Sequence, residues 1–171
     1  MKYTLYIPII FFTMNLQSQE AVFDYFRNGD LQNIQRLIEA ESFNVNSADH
    51  YGYSPLMLAV YHGQTNLVRY LLKQHVNIDQ QDKFGNTSLM GACFKGYMDI
   101  VDLLIQKGVD INARNYNGAT ALIYAATFGH KDIVTTLLNN GASISIQDSR
   151  GNTALDHARI QGNQEIIELL F

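Results

Sequence analysis

Residues Asp82 to Gly108 read DKFGNTSLMGACFKGYMDIVDLLIQKG, and the rest of the chain is laid out as copies of this stretch. Shifted against itself, the sequence brings Gly52, Gly85, Gly118 and Gly151 into one column at a spacing of 33 residues. Ser54, Thr87, Thr120 and Thr153 form a second column, and Leu56, Leu89, Leu122 and Leu155 a third. Ala59, Ala92, Ala125 and Ala158 follow, then Gly63, Gly96, Gly129 and Gly162. Each copy closes with a second apolar block: Leu67-Val68 with Leu71-Leu72, Ile100-Val101 with Leu103-Leu104-Ile105, Ile133-Val134 with Leu137-Leu138, and Ile166-Ile167 with Leu169-Leu170. Columns held in phase over this length mark an internal repeat.

The physics of one copy follows from its residues. Gly85 admits the positive φ of a tight turn, and Thr87 offers a side-chain oxygen to the free N–H groups of a helix start. In the first full copy that helix opens Ser54-Pro55, with proline where its missing donor costs nothing. A short first helix runs to Gly63, Gly96, Gly129 or Gly162. A second, with Ile, Val and Leu at helical spacing, ends at Gly108 and Gly141, where a left-handed residue closes it. His75 occupies the same column, so one copy is predicted to have a weak helix end. Neither helix buries its apolar face alone, and stacked copies do. The fold class is therefore an all-α repeat solenoid, with a turn or β-hairpin loop and two antiparallel helices per copy.

Four copies carry a shared hexapeptide: S-P-L-M-L-A from Ser54, T-S-L-M-G-A from Thr87, T-A-L-I-Y-A from Thr120 and T-A-L-D-H-A from Thr153. With the period, these resemble the T-P-L-H-x-A signature of the ankyrin repeat family. None has the family's histidine at the fourth place, where Met57, Met90, Ile123 and Asp156 stand. The resemblance runs from about Glu20 to the end. It divides residues 19–171 into an N-terminal capping copy at about 19–48, copies at 49–81, 82–114 and 115–147, and a C-terminal cap at 148–171.

Residues 1–18 differ from the rest. Lys2, the apolar run Tyr3 to Phe12 and a polar tail ending at Ser18 have the three-part layout of a secretory signal peptide. The run is short and contains Pro8, so it does not suit a membrane span. The alternative is a buried first helix of the solenoid. Export to a periplasm is the first expectation and secretion the second. In the capping copy Val22, Phe23 and Phe26 share a helical face, Asp30 caps a second helix, and the loop Glu39 to Asn46 is one residue longer than its counterpart. Polar Gln161, Asn163, Gln164, Glu165 and Glu168 suit the last copy to a solvated end, and the solenoid is expected to be complete and monomeric.

Net charge is −4, and without Lys2 it becomes −5, from 11 basic against 16 acidic residues. An acidic chain with no basic run argues against nucleic acid as ligand, and it offers no polybasic patch to anionic lipid. Cys93, alone, shares a column with Val60 and Ala126 and reads as a small buried residue. The five histidines lack metal-ligand spacing and are expected to play isolated surface roles. Asp99 and Asp132 sit where helix dipoles favour acids. Asn86-Thr87-Ser88 matches a glycosylation sequon, but the repeat itself dictates Thr87. No nucleophile, phosphate loop, metal or cofactor motif stands out, so an enzyme is not expected.

The positions left free by the repeat flank the turn glycine and precede the next one. In ankyrin proteins, the resemblance implies, that concave strip binds partners. Here it holds Tyr51, Tyr53, Tyr61, His62, Lys83, Phe84, Phe94, Lys95, Tyr116, Phe128 and Arg150. Aromatic rings with basic neighbours are typical of interface hot spots. An unidentified protein partner is expected there, with Tyr51, Tyr53, Phe84, Tyr116 and Phe128 as anchors and Lys83, Lys95 and Arg150 setting orientation. Two alternatives remain open: rings that merely fill space between hairpins, and a general stress-protective or chaperone-like surface without one specific partner.

Overall fold

The computed structural model describes residues 16–171. Among them ten helices follow one another with no strand. They pair along the chain as α1 Leu16–Asn28 with α2 Leu31–Glu39, α3 Pro55–Tyr61 with α4 Thr65–Leu71, α5 Ser88–Lys95 with α6 Met98–Gln106, α7 Ala121–Thr127 with α8 Lys131–Asn139, and α9 Ala154–Gln161 with α10 Gln164–Leu170. α1, α3, α5, α7 and α9 stack in one row, and α4, α6, α8 and α10 in a second. Ala59, Ala92, Ala125 and Ala158 are fully buried where the first row stacks, because only a small side chain lets helices approach there. Leu67, Ile100, Ile133 and Ile166 seal the second row, each buried residue of this type contributing about 1.5–3 kcal/mol.

The sequence signals at helix starts are realised. Oxygens of Ser54, Thr87, Thr120 and Thr153 accept from the N–H of Met57, Met90, Ile123 and Asp156 at 3.2, 3.4, 3.4 and 3.3 Å. In the last copy Asp156 returns a bond to the Thr153 N–H at 2.9 Å and completes a capping box. Met57, Met90 and Ile123, at the place of the family histidine, are buried.

Copies are instead tied by ladders of polar side chains. Asn46, Asp79 and Asn112 accept from the backbone N–H of Asn77, Asp110 and Ser143 in the next copy, at 2.6, 2.9 and 2.8 Å. The two asparagines also donate to the carbonyls of His75 and Gly141, at 2.9 and 3.0 Å. Gln81 donates to the Arg114 carbonyl and Arg114 to that of Gln147, at 3.0 and 2.9 Å. A further column reaches backwards: Gln64, Tyr97, His130 and Asn163 lie over Gly29, Gly63, Gly96 and Gly129 of the preceding copy, where an added Cβ would come within 2.5 to 3.3 Å of them.

The predicted weak helix end is present. α4 has 7 residues where α6 and α8 have 9. Gly108 and Gly141 take φ of 80° and 88°, whereas His75 does not adopt a positive φ. The α4 end instead relaxes into turns in which Lys73 and Gln74 N–H donate to the Tyr70 and Leu71 carbonyls. In the longer first loop Glu41 takes φ 49°, the one non-glycine positive φ among the described residues.

The signal-like run Tyr3 to Phe12 lies outside the described residues. α1 begins at Leu16, three residues ahead of a cut after Ser18. Cys93 is buried as expected, and burial pushes its thiol up, away from the reactive thiolate. The C-terminal cap is less polar than its sequence suggests. Gln161, Gln164, Glu165 and Glu168 are exposed, but so are Ile160, Leu169 and Phe171, because no further helix pair covers them among the described residues.

Candidate partner-binding face

The hairpin tips rest on a column of acids and amides that the sequence reading passed over. Asp49, Asp82, Asn115 and Asp148 each accept, through Oδ1, from the backbone N–H groups two and four residues on, at 2.8–3.0 Å. This fixes the turn and presents its tip residues. Their side-chain partners differ. Asp49 is paired with Arg27 of α1 at 2.5 Å, and Asp148 with the His157 ring at 2.8 Å. Asn115 is neutral. Asp82 Oδ2 accepts from Asn86 Nδ2 at 3.1 Å, and among the described residues no basic side-chain nitrogen lies within 4.0 Å of it.

Of the eleven strip residues, Tyr51, Phe84 and Tyr116 are the most open rings, 58%, 66% and 72% exposed. Phe94, Phe128, His62, Lys83, Lys95 and Arg150 are exposed as well. Tyr53 and Tyr61 are not: both are half-buried. They pack on each other with centroids 5.4 Å apart, and Tyr53 lies 6.2 Å from Tyr51. Tyr61 folds inwards because Gly91 has no side chain there; a Cβ on Gly91 would meet its ring at 3.3 Å. Lys83 is also engaged, donating from Nζ to the His50 carbonyl.

A second ring cluster contains Tyr124, which the sequence reading did not single out. It stacks on Phe128 at 6.5 Å, and Phe94 meets Phe128 edge-on at 4.6 Å. Its hydroxyl donates to Asn86 Oδ1 at 3.1 Å and accepts from Asn115 Nδ2 at 3.2 Å. Asn86, the sequon residue, is therefore held from both ends of its amide. Burial pushes the Tyr61 and Tyr124 hydroxyls up; the Asp82 charge adds to both, while the Asn115 bond opposes it at Tyr124. The strip is thus two packed clusters with Phe84 and Tyr116 standing free of ring partners between them among the described residues.

Two openings flank Tyr124. One, of about 270 Å3, lies between the third and fourth hairpins and is walled by Asn117, Phe128, Arg150 and the Asp148–His157 pair. The other, of about 200 Å3, is walled by Tyr61, Asn86, Met90, Phe94 and Tyr124. The expectation of isolated surface histidines fails at His157, which is half-buried on Asp148, and at His130, which lies over Gly96. A repeat gives each histidine a different column, so its partner, nine residues or one copy away, is not visible as local spacing.

The family model for ankyrin repeats in three copies matches residues 19–115, and that for ankyrin repeats in many copies matches residues 104–158. The chain belongs to the ankyrin repeat family. A comparison with curated proteins gives no significant match. Ankyrin repeats are generally protein–protein interaction modules and are typically non-catalytic. Among the described residues of this ankyrin-repeat chain, no group of three or more His, Cys, Asp or Glu is placed to hold a metal ion. No described helix is long and apolar enough to cross a membrane. Of the eleven strip residues, Tyr51, Tyr53, Lys83, Phe84, Tyr116 and Arg150 lie in the hairpin loops, Tyr61, Phe94 and Lys95 in first-row helices, and His62 and Phe128 at the C-caps of α3 and α7.

Proposed function

We propose that this ankyrin solenoid holds a protein partner on the concave side formed by its hairpin tips and first-row helices. The observation that carries this is the exposure of Tyr51, Phe84 and Tyr116 at three successive tips, where Asp49 and Asp82 accept from the Tyr51 and Phe84 N–H and the Phe84 carbonyl accepts from the Tyr116 N–H at 3.0 Å. Large rings on preorganised turns lose little entropy on binding, which is the condition for a hot spot. Phe128 and Phe94 extend the apolar surface, and Lys95 and Arg150 orient the partner through charge. Tyr53 and Tyr61 support the tips from behind rather than anchoring the partner.

The protein acts after export, with residues 1–18 removed. Glu20, beyond the cut, ties α1 to the first hairpin through His50 at 2.9 and 3.0 Å, so cleavage shortens α1 without releasing it. Mass measurement of the mature protein tests this: an intact Met1 on the purified native protein would remove the export reading.

Cross-linked capture from cells and medium tests the binding reading, comparing the native protein with a folded Tyr51→Ala, Phe84→Ala, Tyr116→Ala variant. One partner at fixed stoichiometry, lost with the variant, is the expected result. Identical captures would move binding off this face, and many unfolded clients of similar affinity would favour the chaperone-like alternative.

A further inference from the structure

Exposed charges on the strip are sorted by sign. The first-row helices α3, α5 and α7 contain no acidic residue. At the hairpin tips, residues 49–53, 82–86, 115–119 and 148–152, and on these three helices, the exposed charged side chains are Lys83, Lys95 and Arg150. Exposed acids of the same copies stand elsewhere: Asp99 and Asp132 open α6 and α8 of the second row, and Asp110 follows α6 in the loop. The chain as a whole carries −4, so the strip runs against the average.

The acids under the tips face inwards. Asp49 and Asp82 are buried, and the Asp148 side chain is 11% exposed. Asp82 spends its oxygens on the Phe84 and Asn86 N–H and on the Asn86 amide, and Asp148 on the Arg150 and Asn152 N–H and on His157. Asp49 is paired with Arg27. At the two ends of the strip, Glu20 and Asp24 of α1 and Asp156 of α9 have basic neighbours in His50, Arg27 and Arg159. A partner laid on the strip therefore meets cations, while the carboxylates are occupied by donors of the protein itself.

Those cations are also placed. Lys83 donates from Nζ to the His50 carbonyl, and Lys95 Nζ stands 5.4 Å from the centroid of the Phe94 ring. Lys83-Phe84 at the tip and Phe94-Lys95 at the end of α5 each set a cation beside an exposed ring within one copy. Each pair matches a carboxylate next to an apolar side chain. Side chains held before binding lose less entropy, and complementary charge sets orientation and rejects partners of the wrong sign. Nucleic acid is a poorer match: a duplex carries one charge per about 1.7 Å of axis, which three cations on an acidic chain do not answer.

We propose that the partner presents to this strip an acidic polypeptide segment, with apolar side chains between its carboxylates, which meets Lys83, Phe84, Phe94, Lys95 and Arg150. This rests on the partner-binding reading above and adds the chemical class of the partner.

The probe is a short synthetic peptide of glutamate and phenylalanine separated by serine, titrated into the full protein and followed through backbone amides by NMR. Saturable shifts centred on residues 83–84 and 94–95 are expected, weakening severalfold as salt rises from about 50 to 300 mM. The same peptide with lysine for glutamate should bind at least roughly tenfold more weakly. Lys83→Glu with Lys95→Glu, both on the surface, should cost the glutamate peptide about tenfold or more, and Lys83→Arg with Lys95→Arg should retain most of its affinity. Equal binding of the lysine peptide, or no loss in the charge-reversed variant, would overturn the acidic class and leave the binding face standing. No saturable binding of the glutamate peptide would also overturn it, and tighter binding of a thymidine oligonucleotide would put nucleic acid in its place. Shifts that survive Phe84→Ala with Tyr116→Ala and lie elsewhere would remove the face itself, and with it both readings.

Discussion

At the scale of single residues, the ladders joining copies contain one incomplete rung. Asn46 and Asn112 each accept from one N–H and donate to one carbonyl of the next copy, whereas Asp79 only accepts, from Asp110 at 2.9 Å. The carbonyl that would complete its rung is that of Gly108, equivalent to His75 and Gly141. Asp79→Asn is expected to stabilise the protein by about 0.5–1.5 kcal/mol, the usual net worth of one such bond. Urea denaturation checks it; a midpoint at or below that of the native protein would mean that the rung does not form. The ladders also show what a single residue type can hide. Asp49, Asp82, Asn115 and Asp148 are in phase with the glycines, yet an acid before a turn reads in sequence as mere solubility. Its two bonds to backbone N–H become visible only in three dimensions.

At the scale of the element, the glycine and Ser/Thr columns were legible because each does local work that one residue type performs best. Thr87 caps α5 and Gly96 ends it at φ 74°, as the sequence implies. The shortened α4 was legible for the same reason, since His75 lacks the left-handed conformation its column requires. Hydrogen exchange should therefore find the amides of Leu72 to His75 opening more readily than those of Ile105 to Gly108. Equal protection would mean that tertiary packing, not the helix end, sets local stability there. The ring strip was less legible. Tyr53 and Tyr61 occupy columns that are outward-facing in the repeat, and Tyr61 turns in over a neighbour's missing side chain at Gly91 while Tyr53 packs on Tyr61. Tyr124 sits in a column filled by Leu58, Gly91 and His157, where no pattern flags it. Space left by one copy and filled by the next leaves no trace in the spacing of either.

At the scale of the whole molecule, the ends are held by acids whose proton affinity folding has lowered. Asp30 caps α2, where the Asn33 side chain and N–H hold its carboxyl below the ordinary range. Burial alone would raise Asp148, but the Asn152 N–H, the His157 ring and the Arg150 N–H together hold it down; Asp156 is lowered by the Thr153 hydroxyl and N–H. The unfolded chain then takes protons more readily than the folded one. The stabilisation is fully present above the unfolded carboxyl pKa of about 4 and is lost as pH falls through the lowered folded values. Between about pH 5 and 2, exchange measured residue by residue should show α2 and α9 losing protection before α5 and α7. Opening of the middle first would contradict it. The ladders have one further consequence, for heredity rather than stability. Gln81 to Arg114 and Arg114 to Gln147 are one joint used twice, each linking a residue to its own equivalent in the following unit. A gene that duplicated the segment 82–114 by misaligned recombination would create one new border, at which Arg114 donates and the Arg114 carbonyl of the copy accepts, as each already does. Such a scaffold can lengthen in a single genetic step and offer a wider surface to selection without first passing through a misfolded ancestor.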